Sequence, residues 1–186
     1  KKIIMVTSPK SFVLAATDMD PAEALVPVAE RLVLLGHSVN VILQAHQPAA
    51  KACVESRLVF PGPNCRVYFS YPNRSLDPYH ATMVRDADHV LVTLSSTAEW
   101  VTVEGKVFRY RLHTFKRPVF GFSGVICGHL APIWKDAIPL FYTLFVAKKT
   151  EDLNQLQNIV EVGIDNPTLG LPAKTPAEII VDAMLQ

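Results

Sequence analysis

Short runs of Val, Ile, Leu and Phe recur along the chain, and the stretches between them carry helical or loop patterning. Six such runs stand out. They are Ile3-Ile4-Met5-Val6, Val39-Asn40-Val41-Ile42-Leu43, Arg66-Val67-Tyr68-Phe69, His89-Val90-Leu91-Val92-Thr93-Leu94, Val119-Phe120-Gly121-Phe122 and Leu140-Phe141-Tyr142-Thr143-Leu144-Phe145-Val146. Each is nearly continuous in apolar residues instead of alternating, as strands covered on both faces should be. The rhythm predicts an α/β fold: a Rossmann-like, doubly wound, mainly parallel six-stranded sheet with helices on both faces.

Residues 21–35 form the clearest helix. Leu25, Val28, Leu32 and Leu35 share a face, while Glu23, Glu30 and Arg31 lie largely elsewhere. Asp20, Pro21 and Glu23 supply a start signal and Gly36 a stop. Pro27 falls in the helix interior, where a proline costs about 3 kcal/mol unless the helix kinks or starts late.

Between residues 106 and 117, Phe108, Tyr110 and Leu112 alternate with Arg109, Arg111 and His113. This predicts an edge strand or hairpin whose basic face holds Lys106, Arg109, Arg111, Lys116 and Arg117. Such a face could meet phosphate, anionic lipid head groups or an acidic protein surface, and a solvated edge explains it equally well. After Val160, Gly163, Pro167, Gly170, Pro172 and Pro176 argue against a core element. The chain therefore divides into a Rossmann-like domain over residues 1–160 and a Pro/Gly-rich extension over 161–186. In that extension Thr175, Pro176 and Glu178 start a short amphipathic helix with Ile179, Ile180, Ala183 and Met184 on its apolar face. Ile179, Ile180 and Met184 are its candidate docking residues.

Composition narrows the function. With 49% hydrophobic residues in 186 the chain supports one globular core. Eighteen basic against 17 acidic residues leave a formal charge of +1, so no nucleic-acid partner is expected. The mean hydropathy of +0.22 is high, yet no run reaches the ~20 apolar residues that span a bilayer. Cys53, Cys65 and Cys127 suit neither a disulfide framework nor a Cys-x-x-Cys metal site. The chain starts at Lys1 and enters a strand at once, which leads to the expectation of a removed upstream targeting segment.

A nucleotide-binding fold needs glycines in its first strand-to-helix turn so that backbone can approach a pyrophosphate. The expected turn, Thr7-Ser8-Pro9-Lys10-Ser11-Phe12, contains none. Ser8, Lys10 and Ser11 remain as candidate phosphate donors. Ser95 and Ser96, after the fourth strand, are hydroxyls at the ligand edge, although such clusters also form ordinary turns. Lys51 follows the second strand, where folds of this type discriminate the 2′ position of the adenosine ribose. No HExxH, no i,i+4 histidine pair and no GxSxG occurs, so metal-assisted and nucleophilic catalysis lack support. Asp86 and Asp88 read as a turn and helix terminus.

Several segments together resemble one family. Residues 22–30, Ala-Glu-Ala-Leu-Val-Pro-Val-Ala-Glu, resemble the first helix of the NADP(H)-binding domain III of proton-translocating nicotinamide nucleotide transhydrogenase, internal proline included. In the same order, residues 46–51 resemble the family's HPVAGR loop and Ala87-Asp88-His89-Val90-Leu91-Val92 its fourth strand. Pro139-Leu140-Phe141-Tyr142 with Ala147-Lys148-Lys149-Thr150 resemble its last strand and helix start. The resemblance covers roughly residues 1–160.

The departures fall on ligand-holding elements. Ser8-Pro9-Lys10 stands for the family's GYG turn, and Leu94-Ser95-Ser96-Thr97 for its GAND motif. Its KRS segment has no counterpart near residues 123–129. Lys51 replaces an arginine, a poor substitute for bidentate phosphate binding. The resemblance thus implies a retained scaffold with an eroded site. It implies a non-catalytic accessory subunit of a mitochondrial inner-membrane energy-transducing complex, respiratory chain or ATP synthase, peripheral to the membrane and partnered by the complex's other subunits. On that reading no cofactor is bound. Two alternatives stand beside it: a divergent transhydrogenase domain that holds NADP(H) through Ser8, Lys10, Lys51, Ser95 and Ser96, and a nucleotide or nucleoside-sugar enzyme that uses the hydroxyl-rich strand ends.

Overall fold

The computed structural model describes residues 8–17, 19–44, 48–71, 75–93, 102–124, 141–148, 160–165 and 176–186. Its first strand is Ser11–Ala16 (β1), followed by helix Met19–Leu34 (α1), strand Ser38–Gln44 (β2) and helix Pro48–Arg57 (α2). Strand Cys65–Ser70 (β3), helix Pro78–Asp86 (α3) and strand His89–Thr93 (β4) come next. Helix Val103–Phe108 (α4) then continues into a π-helical turn, Arg109–Thr114. Strands Val119–Gly124 (β5), Phe141–Ala147 (β6) and Val160–Asp165 (β7) precede the last helix, Pro176–Leu185 (α5).

All seven strands join one sheet in the order β3-β2-β1-β4-β5-β6-β7. The first five run parallel, β6 is antiparallel to β5, and β7 is antiparallel to β6. This is the Rossmann-like, doubly wound, mainly parallel α/β fold that the apolar rhythm predicts, with seven strands among the described residues, two of them, β1 and β7, outside the expected runs.

Alternation along the strands splits the core in two. Phe12, Leu14 and Ala16 of β1, Val39, Val41 and Leu43 of β2 and Leu91 of β4 pack beneath α1 and α5. Val13, Ala15, Ile42, Val90 and Val92 face the other way, against Val84 of α3, Val103, Val107 and Phe108 of α4, and Leu112. Helix α1 continues past Pro27, because burial of Leu25, Val28, Ala29 and Leu32 offsets the lost backbone bond. Its end follows from Gly36 at φ 94°: Gly36 N–H donates to the Val33 carbonyl at 2.9 Å and His37 N–H to that of Leu32 at 3.0 Å.

Four expectations need correction. Residues 3–6, the expected first strand, lie outside the described residues, and Ser11 and Phe12, expected in the turn after it, open β1, Ser11–Ala16. The weakly strand-forming Ala15-Ala16 pair hides a strand that is completely buried from Phe12 onward.

The expected basic edge strand over 106–117 is helical instead. Thr102 caps it, its hydroxyl accepting from Gly105 N–H at 3.2 Å, and Val103, Val107 and Leu112 recur on one side. The period-two spacing of Phe108, Tyr110 and Leu112 spans too few residues to decide between strand and helix.

Residues 160–165 form β7 despite Gly163, since Val160, Val162 and Ile164 alternate and the prolines come only afterwards. The strand lies at the sheet margin, where a glycine is tolerated.

Finally, α5 starts where Thr175 and Pro176 predict, but it is not a free docking helix. Ile180 and Met184 are fully buried in the core shared with α1, and Ile179 is half-buried.

Candidate functional site

Strand order reverses between β1 and β4, and an open α/β sheet presents its ligand crevice at the carboxyl ends of strands around such a reversal. The strands end there in polar groups: Thr17 just after β1, Gln44 closing β2, Ser70 closing β3 and Thr93 closing β4.

Helix α4 begins over this edge. The Gln44 side-chain carbonyl accepts from Val103 N–H at 3.0 Å, the Thr17 hydroxyl from Glu104 N–H at 3.3 Å, and the Thr102 hydroxyl from Gly105 N–H. Helix-start amides are the groups that a nucleotide fold offers to phosphate. Here three successive ones are bonded to side chains of the chain itself. Replacing Gln44 with leucine strands the Val103 amide, so it is expected to lower the unfolding free energy by about 1–3 kcal/mol in a urea titration.

The same helix carries buried charge. Lys106 is 1% exposed, and its ammonium donates to the Tyr71 carbonyl at 2.7 Å and the Ser70 hydroxyl at 3.5 Å. Burial, reinforced by nearby Arg109, holds its pKa below the usual lysine value. Glu104 is also fully buried. Thr93, likewise fully buried, keeps a hydroxyl without a hydrogen-bond partner among the described residues. Strand alternation puts it on the α1 side with Leu91.

The residues picked out in the sequence scatter around this edge. Ser8, Lys10 and Ser11 sit at the amino end of β1, the side of the sheet opposite the crevice. Ser11 there satisfies Asp88, donating through its backbone N–H at 2.8 Å and its hydroxyl at 3.3 Å to the carboxylate. The two positions between β1 and α1 are Thr17 and Asp18 in the sequence, neither a glycine, and Asp18, Asp20 and Glu23 give this stretch of sequence an acidic composition. Ser95 and Ser96 lie outside the described residues.

Lys51 belongs to α2 and not to a loop. Its ammonium lies 3.6 Å from the Glu55 carboxylate and 5.3 Å from the centre of the Phe69 ring, so it is engaged on the protein surface.

The expected basic face also comes apart. Lys106 and Arg111 are buried, while Arg109 stacks at 6.0 Å on the ring of Tyr110. Arg117 donates to the Arg85 carbonyl, and Lys116 alone of the five is exposed, at φ 57°. A strand would gather these side chains on one face, whereas the helix distributes them around its axis. Asp86 ends α3 and Asp88 follows in a bend, as read from the sequence.

Thr17, Gln44, Thr102, Glu104 and Lys106 escaped the sequence reading as neighbours. The one local signal was Thr102 as an N-cap; the rest depends on which strand ends adjoin. Among the described residues, no three His, Cys, Asp or Glu side chains gather to hold a metal ion. The Cys65 thiol is pushed up to about 11 by burial, which keeps it protonated at neutral pH and a poor nucleophile.

Compared with known proteins, the chain matches no protein-family model and no curated protein.

Proposed function

We propose that the chain is a non-catalytic module of a larger assembly, built on a nucleotide-type scaffold whose phosphate position is filled by the protein's own side chains. The observation that carries this reading is the start of α4, where Gln44, Thr17 and Thr102 accept from the Val103, Glu104 and Gly105 amides. A pyrophosphate would have to displace these partners and recover no net hydrogen bond by doing so. The start of α1 offers no substitute: Pro21 has no N–H, and Glu23 adds negative charge within the first turns of the helix.

The kind of assembly is taken from the transhydrogenase resemblance: an accessory position in a mitochondrial inner-membrane energy-transducing complex. Native mass spectrometry of the chain purified from its source, in mild detergent, tests both parts. The expected outcome is a nucleotide-free chain that travels with a membrane complex. Retained NADP(H), or saturable binding of added NADPH well below about 1 mM, would replace this reading with that of a working nucleotide domain.

A further inference from the structure

We propose that His37 and His89, both packed against the ring of Phe12, form an acid-released latch that ties the amino edge of the sheet shut at neutral pH. The latch begins with a hydrogen bond of fixed polarity. The Lys10 backbone N–H donates to His37 Nδ1 at 2.9 Å, and since an amide N–H can only donate, Nδ1 must be unprotonated there. An imidazolium carries a proton on both nitrogens, so protonation turns this acceptor into a donor facing another donor.

The neighbouring bond belongs to the same clasp, Ser38 N–H donating to the Lys10 carbonyl at 3.0 Å. Lys10, the last residue before β1, is thereby held on both its backbone groups by the residues that open β2. Phe12 couples the second histidine. Its fully buried ring lies 5.2 Å from that of His37, edge-on, and 5.3 Å from that of His89, which in turn lies 6.1 Å from Phe120.

The surrounding charge favours release once protons are available. The Lys10 ammonium and the Asp88 carboxylate act on both histidines, and the guanidinium groups of Arg111 and Arg117 act on His89 as well. Asp88 is the one anion in that set, and Ser11 already engages its Oδ2 through two bonds. Burial and, after it, Lys10 hold both histidines below the ordinary value of 6.5, with Asp88 opposing. A folded-state pKa below the unfolded one means that the unfolded or opened chain binds the proton more readily. The latch is therefore complete above about pH 6.5 and weakens as pH falls from there towards the folded-state values.

Amide hydrogen exchange on the full chain reads the latch directly. After correction for intrinsic rates, protection of the Lys10 and Ser38 amides is expected to fall about tenfold or more between about pH 7.5 and pH 5, while that of Val41 inside β2 holds. His37→Asn, whose side-chain oxygen accepts the same bond without titrating, is expected to reduce the fall to the part that His89 contributes. Protection independent of pH in the native chain, or an equal fall in His37→Asn, would overturn the proposal. Should the variant not fold, an NMR titration of the native chain decides: a midpoint below 6.5 with the neutral ring's proton on Nε2 is expected, and a midpoint at or above 6.5 would overturn it.

Discussion

Arg111→Ala is expected to remove about 3–5 kcal/mol of stability, a loss of the size seen when one partner of a buried polar network is deleted. The Arg111 guanidinium is 2% exposed and closes the end of α3. Its Nη1 donates to the carbonyls of Val84 at 2.9 Å, Arg85 at 3.3 Å and Ala87 at 2.8 Å, and Nη2 to that of Asp88 at 3.2 Å. Nε reaches across to the Pro118 carbonyl at 2.9 Å, which ties the turn before β5 to the same point.

The last carbonyls of a helix have no partner within it, and several of these are buried. One planar cation with a fork of donors satisfies them together, and favours the negative end of the helix dipole. Burial, with Arg117 adding to it, pulls the guanidinium down to about 10, which leaves it charged and donating at neutral pH. Arg111→Lys is expected to recover only part of the loss, since a single ammonium cannot span the fan of acceptors. Urea unfolding monitored by circular dichroism checks both variants. A loss under about 1 kcal/mol for Arg111→Ala would show that water or a shifted backbone serves these carbonyls equally well.

The second large effect concerns α5. Ile180→Ala is expected to cost about 2–5 kcal/mol, the range for deleting a buried aliphatic side chain and leaving a cavity. Ile180 is fully buried among Ala177, Val181 and Met184 of its own helix and the apolar side chains of α1 and β1. Its neighbour Ile179 is half-buried, so Ile179→Ala is expected to cost less than half as much. Equilibrium unfolding of the two variants separates a core helix from a docking helix. If the helix served only to dock, both substitutions would leave the unfolding midpoint unchanged and alter association alone. A core role also limits the assembly hypothesis, because partners must engage surfaces other than Ile180 and Met184.

Much of the fold is legible in the chain itself. Residues 39–43, 66–69, 89–94, 119–122 and 140–146 each fall within a residue or two of a strand; for interior strands such as β2 and β4 this follows because burial on both faces requires a continuous apolar run, while β3 at the sheet margin is only half-buried. Helix α1, through its apolar spacing and its stop at Gly36, and the start of α5 at Pro176 are equally readable, since these are local properties; α1 begins at Met19, just ahead of the expected cap Asp20, and Thr175 lies outside the described residues. The absence of glycine from the first turn is also legible. It holds for the sequence between β1 and α1, Thr17-Asp18, as it does for Ser8-Pro9-Lys10, the position that the apolar rhythm predicts for the turn.

The tertiary structure alone decided the remainder. Lys106 and Arg111 look like surface charge because a sequence does not show which carbonyls will be left without donors; the ends of β3 and α3 supply those acceptors 35 and 27 residues away. The proximity of Gln44 and Thr17 to the start of α4, 59 and 87 residues distant, follows from β1 lying between β2 and β4. Hydrophobic period and caps are set by neighbours within a turn or a strand. The partner of a buried polar group is set by strand order, which no local pattern encodes.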